Sequence, residues 1–368
     1  VVGYASLRYG TGGIEHAFDT ILRGEAHRSA WQVAWAELLH QPPQGQAVQL
    51  TLDAQLQVQA QRVLSVSRQA GAVVLLDARN GDILAMASHP TFSPERLDEQ
   101  WEVLRIDPTA PLLNRATQGL YQPGTALQTV VLAQALVSDL VHIADPVWHA
   151  TATVTIDGSQ LACSGRLVQP RTLGQAYAAA CPTPFIPVGH KLGRMGLATA
   201  VARWGLTTAP PLEIPTEAGD WHSDTITTAA VLEAEAIGQG RLTVSPLQMA
   251  LVIGALANGG EMPALRLVAR IQEPDGTWRS SPPIGQPRQV ISPEIADALW
   301  DAWPSHYAGV RGQLALSIAG PDRPPHAWFL GVGPTPSPRY AVVVLLEQTD
   351  DPTAAIQIGT TLLRAMWR

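Results

Sequence analysis

The sequence predicts an α+β domain, an antiparallel sheet flanked by helices, with a short remnant of a preceding domain at its start. Three observations carry this. β-rich runs stand near both ends of the chain, the middle is mostly helix-like, and Asn80-Gly81 separates two of the β-rich runs. Strands at both ends with helices between them imply one sheet that brings distant parts of the chain together. The 368 residues are 46% hydrophobic and only 15% charged. That is enough apolar material for a large core and too little charge for a disordered chain.

Residues 1–46 read as a linker or the end of another domain. Gly10, Gly12, Gly13 and Gly24 punctuate them, and Pro42-Pro43 closes them. Residues 47–368 read as the main domain. Residues 50–70 look helical, with Asp53 as cap and Leu56, Ala60, Val63 and Leu64 on one face. Ala72–Asp77 and Ile83–Ser88 follow as strands, and Asn80-Gly81 offers the positive φ angles of a tight hairpin turn. From about residue 115 to 260 helical patterns dominate. Thr129–Val137 and Ser245–Leu256 are apolar almost all round, as helices buried on several sides should be. Asp275-Gly276 marks a smaller hairpin. Ala327–Val332 and Tyr340–Glu347 form a second strand pair, and Thr353–Met366 a final helix.

Composition excludes several classes. The formal net charge of −7 argues against a nucleic-acid or anionic-membrane surface. Apolar stretches such as Leu127–Val141 are interrupted by Gln128, Gln134, Ser138 and Asp139, so no run reaches the ~18 residues of a membrane span. Two cysteines rule out a dense disulfide framework and a cysteine-rich zinc site. The histidines lack metal-ligand spacing, so no metal and no cofactor is expected. The chain begins with Val1 rather than methionine, and any membrane anchor is expected upstream. Arginine supplies all the basic residues except Lys191.

Several segments, in order and spacing, resemble the class B penicillin-binding proteins, the D,D-transpeptidases that cross-link peptidoglycan. Gly13-Ile14-Glu15 and Leu22-Arg23-Gly24 resemble the stretch before the transpeptidase domain, and Leu50-Thr51-Leu52-Asp53 its entry helix. Asn114–Gly119, Tyr121 and Pro123-Gly124 are similar to the approach to the nucleophile. Ile237-Gly238-Gln239-Gly240, Ser245–Ala250, Ala257–Gly260 and His326-Ala327-Trp328-Phe329 continue the likeness. The resemblance implies the penicillin-binding-protein transpeptidase (β-lactamase-like) fold, acting outside the cytoplasmic membrane.

It also implies acyl transfer through a serine ester, which needs a nucleophile, a base and oxyanion donors. The family supplies these with Ser-x-x-Lys, Ser-x-Asn and Lys-Thr-Gly. Where the first should stand, this chain has Thr125-Ala126-Leu127-Gln128. Threonine keeps a hydroxyl, but the amide of Gln128 is no base. The second motif falls on Ala180-Cys181-Pro182, which lacks both functional side chains. The third falls on Ser317-Ile318-Ala319 or Ile318-Ala319-Gly320, and neither register contains lysine. The chemistry calls for two lysines, and Lys191, in a stretch that reads as a helix end, is the only one in the chain. Arginine cannot replace them as base, since it does not deprotonate in proteins.

The leading expectation is therefore a pseudoenzyme, working through protein partners in cell-wall machinery or another membrane-associated complex. Two alternatives stand beside it: an enzyme using Thr125 as nucleophile, and a module that binds stem peptide or β-lactam weakly and reversibly. The ordinary reading of Thr125 is a helix cap. Cys163 and Cys181 could pair in an oxidising compartment or remain buried thiols. Trp31, Trp35, Trp300 and Trp303 sit among polar residues and are candidate partner anchors.

Overall fold

The computed structural model describes residues 1–26, 31, 35, 38–40, 44–165 and 169–367. Pro42-Pro43, expected to close the first segment, lies outside them.

A six-stranded antiparallel sheet organises the molecule. Its strands are β1 (Gly71–Asp77), β2 (Ile83–His89), β3 (Ser305–Tyr307), β4 (Val310–Ser317), β5 (His326–Gly333) and β6 (Tyr340–Leu346). They lie in the order β3-β4-β5-β6-β1-β2. The expected joining of distant strands is thus observed: β6 pairs with β1, Val343 opposite Val74. Both faces of the sheet are covered, which explains why β1 and β6 read as continuous apolar runs rather than alternating ones. Val73 and Leu75 point into one core, Ala72, Val74 and Leu76 into the other. Side chains of a strand alternate between faces, so each strand feeds both cores.

One face is covered by two helices. α1 (Ala54–Val66) contributes Leu56, Ala60 and Leu64, and Asp53 caps it by accepting from Gln55 N and Leu56 N. The helix at the chain's other end, Thr353–Ala365, adds Ile358, Leu362 and Leu363. The opposite face carries a larger helical layer: α2 (Gln128–Val137), α3 (Leu173–Ala178), α4 (Phe185–Arg203) and α5 (Pro246–Ala257). α5 is apolar all round because it is buried nearly all round. Ser245 and Gln248 close its start with a reciprocal capping box. Among the described residues no helix is long and apolar enough to cross a membrane.

Two expectations need correction. The β1–β2 connection is not a two-residue turn. It runs over residues 78–82, only Gly81 takes a positive φ (75°), and the Asn80 side chain instead accepts from Asp82 N. Trp300 and Trp303 are not partner anchors but core residues, 7% and 0% exposed, while Trp31 and Trp35 are exposed. β3 and β4 lack a clear strand signal in the sequence, although β4 carries the edge that faces α2.

Candidate active site

The expected motif positions converge where the start of α2 meets β4. Past its short pairing with β3, β4 is bonded to a strand on one side only, leaving the other edge to face α2. The approach is very close. Gly124 takes φ 55°, and a Cβ there would stand 2.1 Å from Leu316 O. Gly238, φ 70°, packs on Gly124 in turn, and its Cβ would stand 2.2 Å from Gly124 O. Gly124 N donates to Gly238 O at 2.8 Å. Only glycine fits either position, so the legible glycines are framework residues.

Thr125 follows in this turn and is fully buried. Its hydroxyl accepts from Leu316 N at 3.0 Å and makes a longer 3.4 Å contact, as donor, to Leu316 O. It caps no helix, contrary to expectation, because the β4 edge supplies both of its partners. Gln128 opens α2 and is also fully buried. Its Nε2 donates to Cys181 O at 2.9 Å, while its Oε1 has no partner among the described residues.

The second motif position forms a tight turn after α3. Ala180 has φ 49° and donates its N–H to Tyr177 O at 2.9 Å; Cys181 N donates to Ala176 O at 2.9 Å. Ala180, Cys181 and Pro182 are all buried. Cys163 and Cys181 are joined as a disulfide. That bond holds Ser164 and Gly165 against the turn, where both donate N–H to Ala179 O at 3.1 and 3.0 Å. Ser164 Oγ donates onward to Leu314 O on the β4 edge.

The third set of expected positions lies elsewhere. Ser317 ends β4, buried, with its hydroxyl unpartnered among the described residues. Ile318 N donates to Gln239 Oε1 at 2.9 Å. Ile318, Ala319 and Gly320 line an open cleft of about 370 Å³, together with Tyr121, Gln239, Thr243 and His326. Thr125 is not part of that lining. The structure thus brings Thr125, Gln128, Ala180 and Pro182 into one buried region and leaves residues 318–320 at the cleft beside it. Lys191 is exposed on α4, two residues before a break at Gly193, and its Nζ donates to Leu140 O at 3.0 Å.

Under the cleft lies a polar network that sequence reasoning missed. Tyr121 OH and Arg115 Nε both donate to Glu347 Oε1, at 2.6 and 2.7 Å. Arg115 spends two further donors on Ala110 O and Thr109 O. Burial, reinforced by the Glu347 carboxylate, drives the Tyr121 phenol far up from its ordinary pKa. His326 stacks edge-on against Tyr121 and accepts from Gln348 N through Nδ1 at 3.2 Å. Its burial lowers its pKa, with Glu347 partly opposing, so the ring is neutral near pH 7. The available signal was Glu347 itself, a lone carboxylate closing the apolar run of β6.

Comparison with known proteins agrees with this architecture. The family described as the penicillin binding protein transpeptidase domain matches residues 71–302, and the penicillin binding protein A dimerisation domain matches residues 1–48. The peptidoglycan D,D-transpeptidase PbpA of Mycolicibacterium smegmatis is 31% identical over 96% of this chain and 78% of its own length. The protein of the same name from Mycobacterium tuberculosis is 28% identical over the same shares. Among solved structures, the penicillin G acyl-enzyme complex of penicillin-binding protein A from M. tuberculosis superposes with a TM-score of 0.85 at 27% identity, covering 100% of this chain and 91% of that one. The chain belongs to the class B penicillin-binding protein family and has its transpeptidase fold.

Proposed function

We propose that this domain is a catalytically inactive member of its family, a pseudo-transpeptidase kept for its fold. The observation that carries the reading is the environment of Thr125. Among the described residues its hydroxyl meets only the backbone of Leu316, and no titratable side chain is hydrogen-bonded to it or to Gln128. Acyl transfer needs a group that withdraws the hydroxyl proton and returns it to the leaving nitrogen. An amide does neither. Losing general-base assistance alone costs about 10²–10⁴ in rate, or about 3–5 kcal/mol of barrier. The missing motif side chains act as a unit with it, so their losses overlap rather than multiply. Burial adds to the obstacle, since the Thr125 hydroxyl already occupies the Leu316 N–H that a substrate carbonyl would have to take over.

A use for the remaining fold is supported by its integrity. The glycine contacts, the helical layer and the network under the cleft are complete where the chemistry is not. In keeping with the relatives' role, the domain would act as an interaction subunit outside the cytoplasmic membrane, within cell-wall machinery or another membrane-associated complex. Residues 1–46 would be the end of the preceding domain, and Trp31 and Trp35, exposed and stacked at 6.1 Å, a place for a partner. The open cleft supports one second reading, reversible binding of stem peptide, which calorimetry with a peptide ending in D-alanyl-D-alanine would test. The inactive reading is tested by incubation with a fluorescent penicillin and by D-alanine release from the same peptide. Neither a labelled band on a denaturing gel nor released D-alanine is expected, and either one refutes the reading.

A further inference from the structure

We propose that Gln313, and not a residue of 317–320, stands where the third motif's lysine would be, so that Gln128 and Gln313 are neutral replacements for the two catalytic lysines. This rests on the loss of catalysis proposed above and adds where the second charge was lost. The register follows from the strand. Leu316 N is the β4 group that faces the Thr125 hydroxyl, and is therefore the donor positioned for an oxyanion formed there. Along β4 the side chains alternate. Leu314 points into the core beneath α1, whereas Ala315 points into the helical layer. Gln313 and Ser317 share the face of Ala315. A lysine serving the second motif must leave the strand on that face and end beside residue 180.

Gln313 does so. It is fully buried, and its Nε2 donates to Tyr177 O, the same carbonyl that accepts from Ala180 N. Ser317 instead backs onto Gly124: a Cβ on that glycine would meet Ser317 Cβ at 2.6 Å. Residues 318–320 have already turned into the cleft lining. Gln128 behaves like Gln313, donating to Cys181 O in the same turn. The two amides therefore both hold the turn of residues 177–181. Each leaves its Oε1 unpartnered among the described residues, where an ammonium would have had only hydrogens to offer. The exchange keeps the donors that hold the turn and removes two buried charges, which are costly without their original partners.

The test is a set of revertants. T125S, Q128K, A180S and P182N are combined with Q313K, with S317K or with I318K, and each protein is treated with penicillin G. Acylation bonds the Ser hydroxyl oxygen to the lactam carbonyl carbon, breaks the lactam C–N bond and leaves the hydroxyl proton on the released nitrogen. The intact mass then rises by one whole penicillin. An adduct is expected only in the Q313K set. An adduct in the S317K or I318K set without one in the Q313K set overturns the assignment, as does no adduct in any set whose thermal transition is retained. Should the combined variants not fold, Q313K alone in the otherwise natural chain decides. With lysine labelled at Cε it gives just two ε-methylene carbon signals, because Lys191 is the only natural lysine. A nuclear Overhauser contact from the new ε-methylene to Ala180 is expected, and its absence in a folded protein overturns the proposal. The unsubstituted chain, run alongside, tests the loss of catalysis separately.

Discussion

The hydroxyl of Thr125 accepts the backbone N–H of Leu316 at 3.0 Å, so the residue expected at the nucleophile position serves to tie the turn before α2 to the edge of β4. Replacing it tests that structural role. Thr125→Val keeps the shape and orphans a buried N–H, and is expected to destabilise the domain by about 1–3 kcal/mol. Thr125→Ser keeps the bond and loses one buried methyl, costing about 1 kcal/mol. Urea denaturation of the two variants checks the order, and Thr125→Ser alone gains no reactivity toward penicillin.

The Arg115–Glu347–Tyr121 network joins the approach to α2 to the end of β6. Arg115 is 5% exposed and Glu347 23%. Removing one partner of so buried a pair typically costs about 3–5 kcal/mol, because the other charge is stranded. Arg115→Met or Glu347→Gln should each lose on that order in equilibrium unfolding. Tyr121→Phe should lose only about 1–2 kcal/mol, since Arg115 still satisfies the carboxylate. A double-mutant cycle between residues 115 and 347 should show strong coupling, and independent effects would contradict the network.

The disulfide closes a loop with a sequence separation of 18 and holds Ser164 and Gly165 against Ala179. Loop-closure entropy makes it worth roughly 3 kcal/mol. Thiol alkylation under denaturing conditions should modify the oxidised protein only after reductant, and Cys163→Ser with Cys181→Ser should lower the thermal midpoint. Hydrogen exchange should then rise at Ser164 and Gly165 before it rises in β4.

Acid should weaken the fold through its half-buried histidines. Burial lowers the pKa of His326, and Arg115 adds to the burial effect at His89; His306 behaves likewise with Gly312 O opposing. A folded pKa below the unfolded 6.5 means that the unfolded chain takes up the proton first. Stability is therefore full above about pH 6.5 and declines as pH falls from there toward the folded pKa values. At His326 the Tyr121 ring packs edge-on and the Glu347 carboxylate acts through its charge, and protonating Nδ1 also breaks the bond from Gln348 N. His326→Asn should flatten the decline in a series of unfolding curves between pH 5 and 7.

Much of this fold was legible because local signals and tertiary burial agree. Asp53 caps the predicted helix, β1 and β6 fall on their apolar runs, and α5 falls on the all-round apolar run that begins at Ser245. β4 was not legible. Gly312 and Gln313 interrupt its apolar pattern, and Gln313 is buried for a contact with Tyr177 O that is 136 residues away in sequence. The turn at Asn80-Gly81 was misjudged because residues 78–82 are shaped by long-range bonds: Ala78 N donates to Arg339 O, and Arg266 N to Gly81 O. The Glu347 network had the same problem, since its members are adjacent only once the sheet has formed. Thr125 and Gln128 were placed from the motif order, but their partners on Leu316 and Cys181 could come only from the packing.

The central proposal is that no group among the described residues can move the Thr125 proton. Its most direct test is intact-mass spectrometry of the natural protein held for hours with excess penicillin G at neutral pH. The mass should stay that of the untreated chain. An increment of one opened lactam, mapped to the peptide containing Thr125, would contradict the account.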